Sequence, residues 1–374
     1  MPSRPYRPFF LLAALDAVLG AAVWLPWASL DRLTGIDPGA WHRDALLFGT
    51  IPAILAGFLL TALPRWTGQP PSAPGSIAGL VGLWLCARVA SLVSTAVGLA
   101  LSAAFVLTVA SVAAARIIAA HDRRNLKVLG LLLAFCGSIL LTAADFVPMS
   151  YRLAVACLLG LVMVIGGRVT PALTAAFLAA QGTHVAISRS PAVEFLAAAT
   201  GAAALLSWIV APHHPVSGLL SAGAAVAHAV RMVRWRGWRC IGSAVVTALH
   251  VGYGWIPVGF GLLVLNVLDP ALVSQAAALH AWTIGAIGTM GIAIMASMIR
   301  KNSGRPFARS ATTTAAAVTI TACAVMRVAA ELSPAGRTAL TGLSAICWIA
   351  AFALFLWAFR DVLLRRAAPP PARR

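Results

Sequence analysis

Charged residues are scarce in this sequence. Only 10% of its 374 residues are charged and 60% are hydrophobic, whereas a soluble domain needs about a quarter of its residues charged to cover its surface. No polar stretch is long enough to build a separate soluble domain. The long apolar segments also lack the alternation of a membrane β-strand, which excludes a β-barrel. The class that remains is an all-α integral membrane protein.

Lysine and acidic residues are rarer still. The only lysines are Lys127 and Lys301, and Asp and Glu together number 10, so the formal charge of +18 comes almost wholly from arginine. The basic residues lie in short loops between apolar segments, which is the topology signal of a membrane protein and not of a nucleic-acid surface. With so few carboxylates, a cation-coupled transporter with a carboxylate relay is under-equipped.

Cysteine motifs and the common catalytic motifs are missing. The six cysteines lie in or beside apolar segments and none forms a C-x-x-C pair, so they indicate neither a disulfide framework nor a zinc site. They are interpreted as small buried hydrophobic residues. The sequence also contains no P-loop, G-x-S-x-G, H-E-x-x-H or dinucleotide-binding fingerprint.

Twelve segments are long and apolar enough to be membrane spans, each needing about 20 residues. The predicted spans are 9–30, 43–63, 76–95, 97–118, 126–144, 151–170, 192–211, 216–233, 241–265, 273–299, 311–331 and 338–360. The separation of the third from the fourth rests only on the weak turn signal "SLVSTAVG". Residues 1–366 therefore form one transmembrane domain, and the Pro- and Arg-rich tail 367–374 is predicted to be disordered.

The distribution of positive charge supports this number of spans. With twelve spans and both termini in the cytoplasm, all but six of the 28 Lys and Arg residues fall on the cytoplasmic side, as the positive-inside rule requires. An odd number of spans would scramble this bias. The six exceptions are Arg32, Arg43, Arg88, Arg152, Arg327 and Arg337.

Two spans carry a similar pattern of residues. His42 precedes a span that ends in "TGQP" (67–70), and His280 precedes one that ends in "SGRP" (303–306). This weak internal repeat suggests two helices related by pseudo-symmetry, each with a histidine on the outer side and a Gly-Pro turn on the inner side.

A set of short motifs resembles the NnrS family of bacterial inner-membrane proteins. The motifs occur in family order from the first span to the tenth. They are "RPFFLLAAL" (7–15), "WH" (41–42), "FLLTALPRWTGQPP" (58–71), "GGRVTPALT" (166–174), "VRWRGWR" (233–239), "LHVGYGWIPVG" (249–259) and "HAWTIGAIGTMGIAIM" (280–295). The resemblance implies a twelve-span protein of the bacterial cytoplasmic membrane, associated with haem, copper, denitrification and nitric oxide stress.

The sequence departs from the family pattern at positions suited to metal binding. Where the family resembles W-H-x-H-E-M-L-F-G, this chain reads "WHRDALLFG", with Asp44 and Ala45 in place of the second His and the Glu. Asn302 stands where a His follows the tenth span, and "ALTAAF" (172–177) replaces a more polar run. The resemblance therefore implies haem b and leaves copper in doubt for this divergent member.

Four of the eight histidines are candidate ligands, since imidazole suits both haem iron and copper. His42 and His280 are both expected near the outer face and form one candidate pair. His228 and His250 are expected at similar depth near the inner face and form a second. His42, His250 and His280 are also the candidate ligands of a metal ion.

Each of these residues also has a structural interpretation. His250 and His280 suit helix–helix contacts, and His42 suits an ordinary position at the membrane interface. Arg168, at the inner face, could hold a haem propionate through charge-assisted hydrogen bonds or contact a lipid phosphate.

Two carboxylates near membrane helices have structural interpretations as well. Asp44 is predicted to cap the second span rather than to bind a metal. Asp16 lies deep in the first span and is expected to pair with Arg88, either as a structural ion pair or as part of a proton path.

Three hypotheses for function remain at the level of sequence. The first is a haem-binding, and possible copper-binding, membrane protein of nitric oxide or nitrosative-stress metabolism, with membrane lipids, nitric oxide or a redox partner as its contacts. The second is a small-molecule or metal transporter without a cofactor. The third is a degenerate homologue that binds no metal. The sequence leaves open whether the protein is an enzyme and what its oligomeric state is.

Overall fold

The structure is a computed structural model that describes residues 4–23, 37–183, 187 and 190–364. Within these ranges the chain is helical and contains no strand. The long helices, numbered in chain order, are α1 (Tyr6–Ala22), α2 (Pro38–Thr67), α3 (Pro74–Ala90), α4 (Thr95–Ala119), α5 (Arg123–Ala143), α6 (Val147–Ala180), α7 (Pro191–Val210), α8 (Pro215–Val233), α9 (Ala244–Leu268), α10 (Gln275–Asn302), α11 (Ala311–Leu332) and α12 (Arg337–Leu364).

These helices confirm the all-α membrane architecture. Ten of the described helices are long and apolar enough to cross a membrane, and α1 and α3 have 17 residues each, close to the lower limit for a span. The weak turn between the third and fourth predicted spans is confirmed, since α3 ends at Ala90 and α4 begins at Thr95. The location of the termini in the cytoplasm stays a prediction, and the tail 367–374 lies outside the described residues.

The centre of the bundle is formed by α2, α6 and α10. Among the ten spans they have the largest share of buried residues in their apolar part: 78% in α2, 67% in α6 and 78% in α10. Each is interrupted by a π-helical segment: Ala45–Thr50 in α2, Val162–Gly166 in α6 and Ala281–Gly288 in α10. A π-helical segment adds one residue to a turn and re-aims the side chains beside it, and such segments are frequent at functional sites.

Helix α1 packs tightly against this centre. One face of α1 is fully buried and consists of Tyr6, Phe9 and Phe10. A Cβ on Gly57 of α2 would lie 2.7 Å from Phe10 Cε1, so a glycine is needed for the two helices to approach this closely.

The ion pair expected between Asp16 and Arg88 is confirmed. Arg88 Nε donates to Asp16 Oδ1 at 2.9 Å, and Thr50 Oγ1 donates to Asp16 Oδ2 at 2.7 Å. The three residues belong to α3, α1 and α2. Because both charges are buried, the pair neutralises groups that would otherwise be costly in a membrane.

The capping role predicted for Asp44 is wrong. Helix α2 begins at Pro38, and its N-cap is Asp37, whose carboxylate accepts from the amide of Ala40 at 2.7 Å. Asp44 lies inside the helix, where its Oδ1 accepts from the hydroxyl of Tyr151 at 2.5 Å. The hydropathy pattern placed the start of the span too late, because it detects only the apolar part of the helix.

Candidate functional site

A cavity of about 470 Å³ lies inside the bundle between α2, α6, α10, α11 and α12. Both His42 and His280 line it. The walls also include residues of the π-helical segments of α2 and α10, namely Leu46, Leu47, Thr50, Thr283, Ile284, Ile287 and Gly288. The two interrupted helices thus present their irregular turns to one shared space, which we call the histidine cavity.

His42 is held by the neighbouring helix α1. Its Nδ1 lies 2.6 Å from the carbonyl oxygen of Gly20. A Cβ on Gly20 would lie 2.9 Å from Leu46 Cδ2, so the glycine allows α1 close enough for this contact. A carbonyl oxygen can only accept a hydrogen bond. Nδ1 therefore carries the hydrogen, and the lone pair of the neutral ring is on Nε2.

His280 is fixed in the same way by its own helix. Its Nδ1 lies 2.7 Å from the carbonyl oxygen of Ala276, one turn earlier in α10. The same reasoning places the lone pair on Nε2. A histidine that binds a metal commonly donates its other ring N–H to a backbone carbonyl, which orients the ring. Both histidines of the cavity have this arrangement.

Three arginines give the cavity a positive charge. Among the described residues, Arg43, Arg152 and Arg327 are the charged groups of its lining, which contains no carboxylate. The guanidinium carbon of Arg43 lies 3.9 Å from the ring centre of Tyr151, and Arg152 Nε donates to the carbonyl of Ile209 at 3.0 Å.

Two of the three arginines have a carboxylate partner on their own helix. Arg327 pairs with Glu331, one turn along α11, and Arg43 Nε lies 3.8 Å from Asp44 Oδ1 in α2, at a more exposed position. Arg152 instead donates to a backbone carbonyl, so the three guanidinium groups outnumber the two carboxylates beside them. The cavity therefore favours a ligand that brings negative charge.

The resemblance of the short motifs to one family extends over nearly the whole chain. The sequence model described as "NnrS protein" matches residues 2–366. The chain belongs to the NnrS family. No curated protein matches it. Membership of the NnrS family associates the chain with haem, copper and nitric oxide in general terms.

The second candidate pair of this NnrS protein does not share a cavity in the same way. His228 of α8 and His250 of α9 do not line the histidine cavity. Helix α10 begins just after α9 ends at Leu268, so His280 lies by the far end of α9 from His250. The inner histidines are instead held in two separate polar contacts.

His228 belongs to a buried hydrogen-bonded network. Its Nδ1 lies 2.8 Å from the hydroxyl oxygen of Tyr253, and Arg231 Nη1 donates to that oxygen at 2.5 Å. Arg231 also donates to both carboxylate oxygens of Glu194, at 3.1 and 2.5 Å. Because the Tyr253 oxygen accepts from Arg231, its O–H is left to donate to Nδ1 of His228. Nδ1 of His228 is therefore engaged in a hydrogen bond that joins α8 to α9.

His250 is held against α6 and the loop before α9. Its Nε2 lies 2.8 Å from Thr174 Oγ1, which itself donates to the carbonyl of Thr170 at 2.9 Å. Nε2 is therefore the donor, and the lone pair is on Nδ1. That nitrogen has no hydrogen-bond partner within the described ranges, but a Cβ on Gly237 would lie 2.5 Å from it. The lone pair on Nδ1 of His250 therefore faces the backbone at Gly237 and not open space.

Arg168 lies far from the histidine cavity. Its Nη1 donates to Asn125 Oδ1 and its Nη2 to the carbonyl of Arg124, both at 2.7 Å. Tyr151, which lines the cavity, is 17 residues earlier on the same helix, or roughly 25 Å at 1.5 Å per residue. Arg168 joins α6 to the start of α5, and the arginines that line the cavity are different ones.

Sequence analysis missed Arg43, Tyr151, Arg152 and Arg327 as parts of the site. A signal for three of them was present. Arg43, Arg152 and Arg327 are among the six basic residues that the positive-inside rule did not explain. An arginine on the less favoured side of a membrane needs another reason to be there, and lining an internal cavity provides one.

No group of three or more His, Cys, Asp or Glu residues that could hold a metal ion occurs in the part of the chain that the structure describes. A copper site built from three protein ligands has no donor set there. The described lining of the histidine cavity offers two imidazoles, the number that would hold a haem iron between two histidines.

Proposed function

We propose that this protein binds haem b through His42 and His280 and serves in nitric oxide metabolism or in the response to nitrosative stress. The observation that carries the proposal is the shared cavity: two helices each present to it an imidazole whose lone pair is on Nε2. Holding a b-type haem between histidines of two membrane helices is a recurring arrangement. Membership of the NnrS family supports the association with haem and nitric oxide.

The residues around the cavity fit a haem in three further respects. Its volume of about 470 Å³ is within the range of roughly 300–1,000 Å³ for sites that bind cofactors or small molecules. Its walls are mainly apolar, as the porphyrin face requires. Arg43, Arg152 and Arg327 supply guanidinium groups for two propionate carboxylates, which guanidinium binds well.

Each residue of the site has a defined part in this proposal. Haem b would supply a redox-active iron that can pass an electron, or bind nitric oxide when one of the two imidazoles leaves the iron. His42 and His280 would hold the iron, while the carbonyls of Gly20 and Ala276 fix the tautomers of the two imidazoles. The apolar walls from α2 and α10 exclude water, and the arginines bind the carboxylates.

Copper has weaker support than haem. The family pattern offers a second His and a Glu beside His42, and this chain has Asp44 and Ala45 there. Asp44 is occupied by the hydroxyl of Tyr151. The proposal therefore assigns haem alone to the site.

The proposal places the protein in the cytoplasmic membrane of a bacterium, surrounded by lipid, with both termini in the cytoplasm. Nitric oxide or a redox partner would be its contacts. Ten spans of apolar helix support a multi-pass location, and the arginine distribution supports the orientation.

Spectroscopy of the detergent-purified protein tests the proposal. We expect a Soret band, one haem per chain by pyridine haemochrome assay, and a low-spin ferric signal in electron paramagnetic resonance. His42→Gly and His280→Gly should each lose the low-spin signal, and free imidazole should restore it by entering the space that the side chain leaves. Elution volume and thermal unfolding show whether each variant is folded.

His228→Phe and His250→Phe are the matched controls and should keep the low-spin signal. A colourless wild-type protein contradicts the proposal, and uptake of a solute into vesicles by that protein would favour the transporter hypothesis. A low-spin signal that survives in His42→Gly and His280→Gly but is lost in His228→Phe or His250→Phe would move the haem to the inner pair.

A further inference from the structure

A second, smaller cavity adjoins the histidine cavity on the side of the bundle centre. It has a volume of about 50 Å³ and lies between α2, α6 and α10. Ile51, Ile54 and Ile287 line both spaces, so the two share a wall. We call the smaller space the apolar chamber.

No polar side chain of the described residues lines the apolar chamber. Every lining residue is aliphatic, phenylalanine, methionine or glycine. A water molecule needs roughly 10–15 Å³ of space and two to four polar partners to be held inside a protein. The chamber has the space and lacks the partners, so it disfavours water and suits an apolar molecule of a few atoms.

The structure around the chamber leaves room without a loose core. Leu158, Leu161 and Met290 of its lining are buried, whereas Leu55, Val162 and Ile294 are partly exposed, so the chamber is not closed on every side. The π-helical segment Val162–Gly166 of α6 borders the chamber, and the irregular turn changes how α6 packs against α10 there. Gly291 of α10 removes a side chain from the same wall, since a Cβ there would meet only Ile54 Cδ1, at 3.3 Å.

We propose that the apolar chamber binds small apolar gas molecules and holds them next to the histidine cavity. Binding of such a gas follows from the shape and polarity of the chamber alone. That the gas is nitric oxide rests on the proposed function, because it requires haem in the adjoining cavity. A diatomic gas of low polarity dissolves in lipid and in dry protein cavities, so the bundle can store it beside the iron.

Crystals of the full chain pressurised with xenon test the binding of gas whether or not haem is present. We expect anomalous density for xenon between α2, α6 and α10. In Gly291→Ala the added methyl group takes up part of about 50 Å³, so xenon occupancy should fall by about twofold or more. Gly261→Ala is the matched control, because a Cβ there has nothing within 4 Å, and it should leave occupancy unchanged.

Leu158→Ala tests the opposite direction, because removal of a buried leucine side chain enlarges the chamber. Xenon occupancy should rise. Ordered water, a lipid or detergent chain, or no density in the chamber under xenon pressure would overturn the proposal. Equal occupancy in the wild-type protein and Gly291→Ala would overturn it as well.

Flash photolysis of the nitric oxide complex tests the identity of the gas. In haem-loaded protein, the fraction of nitric oxide that recombines before escape should change in Gly291→Ala and not in Gly261→Ala. If xenon binds but this fraction is the same in all three proteins, the assignment to nitric oxide is wrong. If the protein takes up no haem, the proposed function fails while the xenon experiment still decides whether the chamber binds gas.

Discussion

Arg65 of α2 donates a hydrogen bond to Asn302 of α10, with 3.0 Å between Nη2 and Oδ1. This contact joins the ends of α2 and α10 that lie opposite to the ends carrying His42 and His280. A left-handed glycine follows both helices: Gly68, with φ 69°, comes directly after α2, and Gly304, with φ 73°, comes two residues after α10. A histidine near the start, a π-helical segment and a left-handed glycine at the end recur in the same order. The repeat seen faintly in the sequence is therefore a repeat of local structure.

The ion pair between Asp16 and Arg88 should make a large contribution to stability. In Asp16→Ala the buried guanidinium loses its partner, and the expected loss is about 3–5 kcal/mol in the free energy of unfolding. The measurement is thermal and denaturant unfolding of the protein in detergent.

The double variant Asp16→Leu with Arg88→Met is the control for this pair. It removes both charges, so it should recover most of the stability lost in Asp16→Ala. If the single and the double variant were equally unstable, the loss would come from packing and not from the unpaired charge.

The inner network around Tyr253 should affect stability but not haem binding. Tyr253→Phe removes the hydroxyl that accepts from Arg231 and lies 2.8 Å from His228 Nδ1. The expected cost is about 1–3 kcal/mol, because buried polar groups lose a partner. Unfolding in detergent measures the cost, and the Soret band measures haem.

Tyr151→Phe is the matched variant, since it removes a hydroxyl from a residue of the histidine cavity. It should alter the haem spectrum, whereas Tyr253→Phe should leave it unchanged. A shifted Soret band in Tyr253→Phe would place the inner network next to the haem and contradict our assignment of the site.

The twelve helices were predictable from the sequence because apolar runs of about 20 residues have few alternatives in a membrane. Their ends were less predictable. The span predicted at 151–170 is part of α6, which runs from Val147 to Ala180. Residues 171–180, with the polar Thr174 among them, continue the helix beyond the predicted end, because backbone hydrogen bonding does not require apolar side chains.

The histidine cavity was only partly predictable. The pairing of His42 with His280 followed from their similar depth, and the structure places both on one cavity. The π-helical segments beside them leave no recognisable pattern in a single sequence, and they decide which side chains point inward. Sequence analysis also could not distinguish His228 from a ligand, because its hydrogen-bond partner Tyr253 lies on another helix, 25 residues away in the chain.

Gly259 and Gly261 lie two residues apart in α9. We expect substitution by alanine to affect stability differently at the two positions. A Cβ on Gly259 would lie 2.1 Å from Trp282 Nε1, whereas one on Gly261 has nothing within 4 Å. Trp282 is fully buried and packs against Trp208 and Phe260, so it has no room to move.

Gly259→Ala should therefore lower the free energy of unfolding by about 1–3 kcal/mol or more. Gly261→Ala should be neutral or stabilise the helix by up to about 1 kcal/mol, since alanine is the better helix former. Unfolding of both variants in the same detergent provides the comparison. Equal destabilisation would mean that α9 and α10 are not packed as closely as the structure indicates.

The arginines of the histidine cavity should set how firmly haem is retained. In Arg152→Met the side chain keeps an unbranched stem about as long as the arginine chain up to Nε and loses the guanidinium, whose Nε contacts the carbonyl of Ile209. A hydrogen bond to a charged group contributes about 1.5–3 kcal/mol, so haem transfer to apomyoglobin should be about 10- to 100-fold faster than from the wild-type protein. Arg327→Met should be combined with Glu331→Gln, so that no carboxylate is left without its partner.

Arg168→Met is the control, because Arg168 is the arginine that sequence analysis favoured and it lies far from the cavity. It should leave the rate of haem transfer unchanged. Haem dimethyl ester gives an independent measurement: without carboxylates, it should be lost equally fast from the wild-type protein and from Arg152→Met. If the ester were retained as firmly as haem by the wild-type protein, the arginines would not bind the propionates, and the positive charge of the cavity would need another anion to explain it.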